Sequence, residues 1–436
     1  MLFIQFYMMI PFEGLYMNIL RILVACVLFV LLPFNAYSTQ GLNFNTVQHG
    51  FPRLMGMNIG KKHYSDPVYR YEISKVDVLI LGFYPGWGRY KGENGEKTAV
   101  EGIKKLNKHI LVGQYTIMNE APDANNMKSA SRDVGEKIDQ EGWWLRDVDG
   151  RRTQWTDKYN KWDVNISSYV EKDADGLYFP QWKARRDYKI YFEKNPGLNI
   201  WYLDNALSKS PVKLADWNHD GRNDENFSPE IAKQFRLANV AEWNEIRKLH
   251  PDVLLLGNSD DVSSPEYQGQ LNGVFMEALI GRSWSMEKWK GWERVMRRYQ
   301  LSMRYTRPPH LVGFNVWGKH ADYQRMRYGL TSCLLGDGYF SYTDENKPYA
   351  SVPRFDEYEI ELGQPLDTMP MQAWRHGVYR RFFEKGMVLV NPNNSSRTVN
   401  IESGYSKFLG KQDSKVNNGM RVSGELTLKA KDGIIL

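Results

Sequence analysis

Cysteine is almost absent: only Cys26 and Cys333 occur in 436 residues. A disulfide framework is therefore excluded as the source of stability, and a chain of this length can stand on its buried core alone. Histidine is scarce as well, and the eight His residues show no paired spacing of the kind that holds zinc. A zinc hydrolase or metal-dependent deacetylase thus finds no support, and no metal is expected at the catalytic centre. The serine-nucleophile elbow, Gly-x-Ser-x-Gly, is missing. No glycine-rich phosphate loop follows the first candidate strand, which argues against an open dinucleotide-binding sheet. The excess of positive charge is small, +6. Its one basic cluster, Arg294, Arg297, Arg298, Arg304 and Arg307, has helical spacing and reads as a solvated helix face. No nucleic-acid motif accompanies it, so no nucleic-acid partner is expected.

Long apolar runs are equally few, and the one that stands out is N-terminal. From Met17 the chain reads Met-Asn-Ile-Leu-Arg, then the apolar run Ile22–Phe34, then Ala36-Tyr37-Ser38. A positive start, an apolar core and small residues at the last and third-last positions make a secretory signal peptide over residues 1–38, with a start near Met17 as an alternative. The expected location is periplasmic or extracellular, without stable membrane insertion after cleavage. Leu23-Val24-Ala25-Cys26 resembles a lipoprotein box, and an uncleaved anchor is the other alternative. Cys333 falls in the apolar helical stretch Tyr328–Leu335 and reads as a small buried hydrophobe.

What is plentiful is short apolar runs. Leu54–Ile59, Val76–Phe83, His109–Tyr115, Ile200–Asp204, Val253–Gly257, Gly273–Leu279, Leu311–Val316 and Gly338–Tyr342 alternate with helical patterns such as Thr98–Asn107, Ser228–Leu249, Met286–Tyr305 and Ala321–Leu335. Unbroken apolar strands are what a parallel sheet covered on both faces requires. Eight such units predict an α/β fold, a closed (β/α)8 TIM barrel over residues 39–366, with a doubly wound sheet as runner-up. About 85 residues separate the third strand from the fourth, and this insertion is rich in Trp, Asp and Asn. Aromatic residues make up 14% of the chain, a surplus that suits stacking on sugars or packing in a core. After about Leu366 the spacing of turns shortens, and residues 367–436 predict a small antiparallel, β-sandwich-like domain.

Barrel enzymes carry their chemistry where strands end at the C-terminal face. The fourth strand ends in Asp204 and the sixth in Glu277. Two carboxylates facing one another across a mouth are what cleavage of a glycosidic bond needs: one protonates the leaving oxygen, the other attacks the anomeric carbon or activates water. The other strand ends supply candidate sugar ligands: Asn58; Tyr84 and Trp87; Gln114 and Tyr115; Asn205; Asn258 and Asp260; Asn315 and Trp317; Tyr342. Glu120 and Asp260 are spare carboxylates.

The stretch Gly197–Asn205, ending Tyr-Leu-Asp-Asn, resembles the fourth strand of barrel glycosidases of the α-galactosidase-like and endo-polygalactosaminidase-like groups. With Trp162-Asp163-Val164-Asn165, Gly336–Phe340, Val390-Asn391-Pro392 and Lys431–Leu436, the mature chain is similar to one of the hypothetical glycoside hydrolase families. The resemblance implies that Asp204 is the nucleophile and Glu277 the general acid/base of a retaining hydrolysis acting on a poly- or oligosaccharide. A non-catalytic polysaccharide-binding barrel is the alternative. One further motif, Asp216-Trp217-Asn218-His219-Asp220-Gly221-Arg222-Asn223-Asp224, matches the opening of a calcium loop. A structural Ca2+ on Asp216, Asn218, Asp220 and Asp224 is weighed against a plain polar loop, because Phe227 stands where the bidentate Glu belongs.

Overall fold

Each of the eight apolar runs forms a strand. They are β1 (Met55–Asn58), β2 (Val78–Leu81), β3 (Leu111–Ile117), β4 (Ile200–Asp204), β5 (Leu254–Gly257), β6 (Gly273–Ile280), β7 (Gly313–Gly318) and β8 (Tyr339–Asp344). They pair in parallel in chain order as one eight-stranded sheet. A bridge from Leu54 to Phe340, with the Phe340 amide donating to the Arg53 carbonyl at 2.7 Å, joins the last strand to the first and closes the barrel. The structure, a computed structural model, describes residues 50–60, 63–82, 95–126 and 131–436. The segment expected to be a signal peptide, Tyr84 and Trp87 lie outside the described residues. Among the described residues no helix is long and apolar enough to cross a membrane.

Alternate residues along each strand divide into two packing sets, as the period-two pleat demands. Met55, Met57, Val78, Ile80, Leu111, Ile200, Tyr202, Leu254, Leu256 and Phe275 pack with one another and fill the barrel. Leu79, Leu81, Val112, Trp201, Leu203, Leu255 and Met276 face the other way and pack with helix residues such as Ile103, Trp243 and Tyr299. The outer helices include α1 (Pro67–Ile73), α2 (Gly95–Leu106) and α5 (Pro229–Leu249). The predicted start of α5 is formed as read: the Ser228 hydroxyl accepts from the Ile231 amide and Pro229 opens the helix. The predicted single helix Met286–Tyr305 is instead two, α6 (Met286–Lys290) and α7 (Trp292–Tyr305), broken at Gly291 with φ 80°. The last helix, α8 (Tyr323–Leu334), is capped by Asp322 and carries the buried Cys333, whose thiol is pushed up to about 12 by burial.

The insertion between β3 and β4 holds α3 (Arg132–Glu141) and α4 (Phe179–Asp187) and packs an apolar core that it shares with Trp217 and with Ile231, Phe235 and Ala238 of α5. Trp143 and Trp144 are buried in that core. These two tryptophans are therefore packing residues, not sugar platforms. Beyond the barrel, β9 (Tyr379–Phe383), β10 (Gly386–Asn391) and β13 (Asp432–Ile435) form an antiparallel sheet, while β11 (Arg397–Ser406) pairs with β12 (Arg421–Leu428). The two small sheets share a core of Val378, Met387, Leu389, Val399, Ile401, Leu426, Leu428 and Ile434. Residues 407–409 form no strand, and Leu409 makes a single bridge, to Asn418. Strand β13 comes from the terminal Asp432-Gly433-Ile434-Ile435.

Candidate active site

The interior layers of the barrel run upward into a polar floor. Tyr115, Asp204 and Asn258 stand two residues above Gly113, Tyr202 and Leu256 and continue their inward-facing rows. Asp204 closes β4, and the next residue, Asn205, takes a left-handed φ of 53°. Glu277 reaches the same mouth differently. It does not follow its strand, as the sequence reading had it, but lies inside β6 at a bulge. Phe275 and Met276 pair with Gly313 and Phe314, and the register then jumps so that Ile280 faces Val316. Ala278, with φ 47°, makes the turn. Its amide, displaced from the ladder, is taken by the Oδ1 atom of Asn315 at 2.9 Å.

One side chain ties the carboxylates together. The Asn258 amide nitrogen donates to Asp204 at 3.0 Å and to Glu277 at 3.1 Å. The two bonded oxygens therefore stand no further apart than the sum of those bonds, about 6.1 Å. At the trigonal spread of an amide NH2 the separation is roughly 5.3 Å. Asp204 further accepts from the Tyr115 hydroxyl at 2.5 Å and from the Asn205 amide at 3.0 Å. Glu277 accepts the hydroxyl of Tyr349.

Both carboxyls titrate above their ordinary range. For Asp204 burial is the main cause, opposed by the bonds from Tyr115, Asn258 and the Asn205 amide. For Glu277 burial again leads, opposed by Tyr349, while the neighbouring charge of Asp204 pushes it further up. Three donors favour the ionised form of Asp204, and the Asp204 charge favours the proton on Glu277. The two carboxyls thus differ in what opposes burial: hydrogen bonds alone at Asp204, hydrogen bonds against a neighbouring negative charge at Glu277.

Tyr349 is a site residue that sequence reading missed. It lies after β8 in an irregular loop with φ 54°, a costly conformation for a tyrosine. The Gly60 amide holds the Tyr349 carbonyl at 2.8 Å, which pins this loop against the end of β1. No apolar run or motif marks the position.

The carboxylates open onto a cavity of about 650 Å³, with Met57, Ile59 and Tyr202 on its inner side. Trp155, Tyr159, Glu120 and Lys161 from the insertion region complete its wall. Trp155 and Tyr159 are part-exposed, with ring centroids 6.4 Å apart. Glu120, the spare carboxylate, is committed: it accepts from the Trp155 indole at 2.6 Å and pairs with Lys161 at 3.1 Å. Its antiparallel partner Asp163 is pushed up to about 7, by burial first and the charge of Glu120 second.

Of the predicted sugar ligands, the fold brings Tyr115, Asn205 and Asn258 to the cavity. The others described are spent elsewhere. Asn58 bonds Tyr69 and Tyr64 beside α1, and Gln114 is buried and donates to the Tyr115 carbonyl. Asn315 holds the bulge and donates to Ser341 and Thr343. Tyr342 donates to the Lys319 carbonyl at 2.9 Å. The Trp317 ring lies between Arg282 and Tyr349, and Asp260 accepts the amide and hydroxyl of Ser208. None of these six lines the cavity. In the loop 216–224, Asp216 accepts the amides of Asp220 and Gly221, and Asp224 accepts that of Trp217. Among the described residues no group of three or more His, Cys, Asp or Glu is placed to hold a metal ion.

A closed parallel barrel with two carboxylates bridged across its mouth has the make-up of a barrel glycoside hydrolase. Residues 104–387 match the family described as hypothetical glycosyl hydrolase family 15. The chain belongs to that family and is a glycoside hydrolase. Among solved structures it is similar to an α-amylase from Lactobacillus plantarum, with 9% identity over 90% of this chain and 99% of that one and a TM-score of 0.49. It is similar also to an Anoxybacillus α-amylase (11% identity, 88% and 96%, TM-score 0.46). A third is the glycoside hydrolase domain of PelA from Pseudomonas aeruginosa (12%, 67% and 95%, TM-score 0.41). Among curated proteins none matches the chain in sequence.

Proposed function

We propose that the protein is an exported, retaining glycoside hydrolase of a poly- or oligosaccharide, with Asp204 as nucleophile and Glu277 as general acid/base. The observation that carries this is the shared Asn258 amide. It keeps the two carboxylates within about 6.1 Å, close to the roughly 5–5.5 Å that covalent catalysis needs and short of the roughly 6.5–9.5 Å that leaves room for a water. In the first step an oxygen of ionised Asp204 bonds the anomeric carbon as the glycosidic C–O bond breaks, and Glu277 gives its proton to the departing oxygen. In the second, Glu277 takes a proton from water, which attacks the same carbon and releases Asp204.

Trp155 and Tyr159 on the cavity wall offer flat faces for sugar rings. Export rests on the apolar segment before Ser38, and N-terminal sequencing of secreted protein checks it. The chemistry is assigned to side chains, so chelating divalent ions should leave kcat unchanged. A fall would favour calcium in the loop 216–224. Proton NMR of the first sugar released tests the mechanism. Retention of the anomeric configuration, with a glycosyl-enzyme visible by intact mass, is expected; inversion would make Asp204 a base. A wild-type protein that binds glycans and cleaves none would overturn the catalytic reading.

A further inference from the structure

A second pocket of about 510 Å³ lies at the same end of the barrel, where the segments following β6 and β7 meet Lys431 of the C-terminal region. Gly281, with φ 106°, lets β6 leave the sheet tightly: a Cβ there would stand 1.7 Å from the Trp317 carbonyl oxygen. The next residue, Arg282, projects its guanidinium over the Trp317 ring at 4.7 Å. Four cations line the pocket, Arg282, Lys288, Arg325 and Lys431, against two carboxylates. Both carboxylates are taken: Glu287 by Lys431 at 2.6 Å and Asp322 by Arg325 at 3.3 Å. Lys288 makes no ion pair among the described residues, and Arg282 makes none either, acting on Glu277 only through space. Tyr328 also lines the pocket, and its buried hydroxyl has no hydrogen-bond partner among the described residues.

Two tryptophans stand out on the adjoining segment. Trp284 is 53% and Trp289 73% exposed, and the Trp289 indole donates to the carbonyl of Ser283, itself part of the pocket wall. Exposed indoles beside unpaired cations and an unsatisfied hydroxyl suit a ligand with a flat apolar face and an oxyanion together. An inorganic anion has no use for the indoles, and a neutral sugar has none for the cations. We propose that this pocket is a second carbohydrate site, which takes a carboxylate or sulfate carried by an acidic glycan, with Trp284 and Trp289 offered to its rings. It rests on the glycoside hydrolase reading only for the kind of chain that arrives. Trp317 also meets Tyr349 edge-on at 5.4 Å, and Tyr349 bonds Glu277. The pocket is thus two rings from the proposed acid.

The test is calorimetric, on the full chain carrying Glu277→Gln so that turnover cannot intrude. Hexagalacturonate and its fully methyl-esterified, uncharged form are the probes, with sodium sulfate as a third. The acidic hexamer should bind about tenfold tighter than the ester. Lys288→Glu, an exposed and unpaired position, should abolish that preference, and so should Arg325→Gln. Trp289→Ala should weaken the acidic hexamer and leave sulfate unaffected. Equal binding of both hexamers, or a preference that survives Lys288→Glu, overturns the proposal. Sulfate binding with a hexamer indifferent to Trp289→Ala also overturns it, as a free-anion site only. A wild type that hydrolyses no glycan, with the preference kept in the variant, retains this site and loses the proposed function; hydrolysis by the wild type without the preference does the reverse.

Discussion

Two sets of polar residues sit at the strand ends of this barrel, and they meet opposite fates. On β3 to β6, Tyr115, Asp204, Asn258 and Glu277 converge on open space. On β1, β7 and β8, Asn58, Asn315 and Tyr342 are sealed in the wall with their polar groups bonded to protein. Chemical type does not separate the sets, for Asn258 and Asn58 are the same residue at similar positions. Pleat parity does much of it: Asn58 and Tyr342 fall on the row that faces helices, whereas Asn258 falls on the row that faces the lumen. Asn315 falls on the lumen row and is still lost to the cavity, because the bulge in β6 leaves an amide that only its carbonyl meets. A strand-end residue becomes a site residue when it faces inward and no backbone group beside it needs a partner.

That contrast is sharpest at the carboxylates. Glu277→Gln should lower kcat by about 10²–10⁴-fold, and Asp204→Asn by at least as much, in steady-state assays on any glycan the wild type cleaves. Neither change should unfold the protein. A mutant retaining most of its activity would break the contrast by moving the chemistry to Glu120.

The two sealed asparagines should then part company. Asn315→Ala frees the Ala278 amide and lets Glu277 drift, so kcat should fall about tenfold with KM little changed. Stability should drop by about 1–3 kcal/mol in urea titrations. Asn58→Ala should cost similar stability and leave kcat near wild type. Equal kinetic effects from both would show that Asn315 has no positioning role.

Tyr349→Phe is subtler. The tyrosine hydroxyl stabilises ionised Glu277, so its loss raises that carboxyl further. The acid must be protonated to work, and the alkaline limb of kcat/KM should move to higher pH by about one unit. A shift to lower pH would assign the limb to another group.

The smallest kinetic effect belongs to a carboxyl raised without being catalytic. Glu242 on α5 is pushed up to about 8, chiefly by burial. Between its ordinary value, near 4.5, and 8 the unfolded chain sheds this proton while the folded one keeps it. Stability should therefore fall as pH rises through that window. Glu242→Gln should remove the fall, about 1.4 kcal/mol at most for each pH unit inside the window, and leave kcat unchanged. Thermal unfolding from pH 4 to 9 reads it.

Much of this architecture was legible before any coordinates. All eight strands and the Ser228-Pro229 helix start stand where the apolar runs put them, and Asp204 ends its strand, because a buried parallel strand must be apolar along its length and must stop where polar residues begin; Glu277 departs from that pattern, inside β6 at the bulge. An unbroken apolar run has the same pattern on both faces, so it does not show which strand-end residues face the lumen and can meet a sugar. Trp143 and Trp144 were indistinguishable from Trp155 by composition, though only Trp155 reaches the cavity. The sequence by itself determined the barrel, since local periodicity sets where strands begin and end. Only the tertiary structure decided how the two carboxyls are held. The bulge at Ala278, the shared amide of Asn258 and the return of Tyr349 join residues 19 to 72 positions apart, and contacts at such separation leave no trace in local pattern.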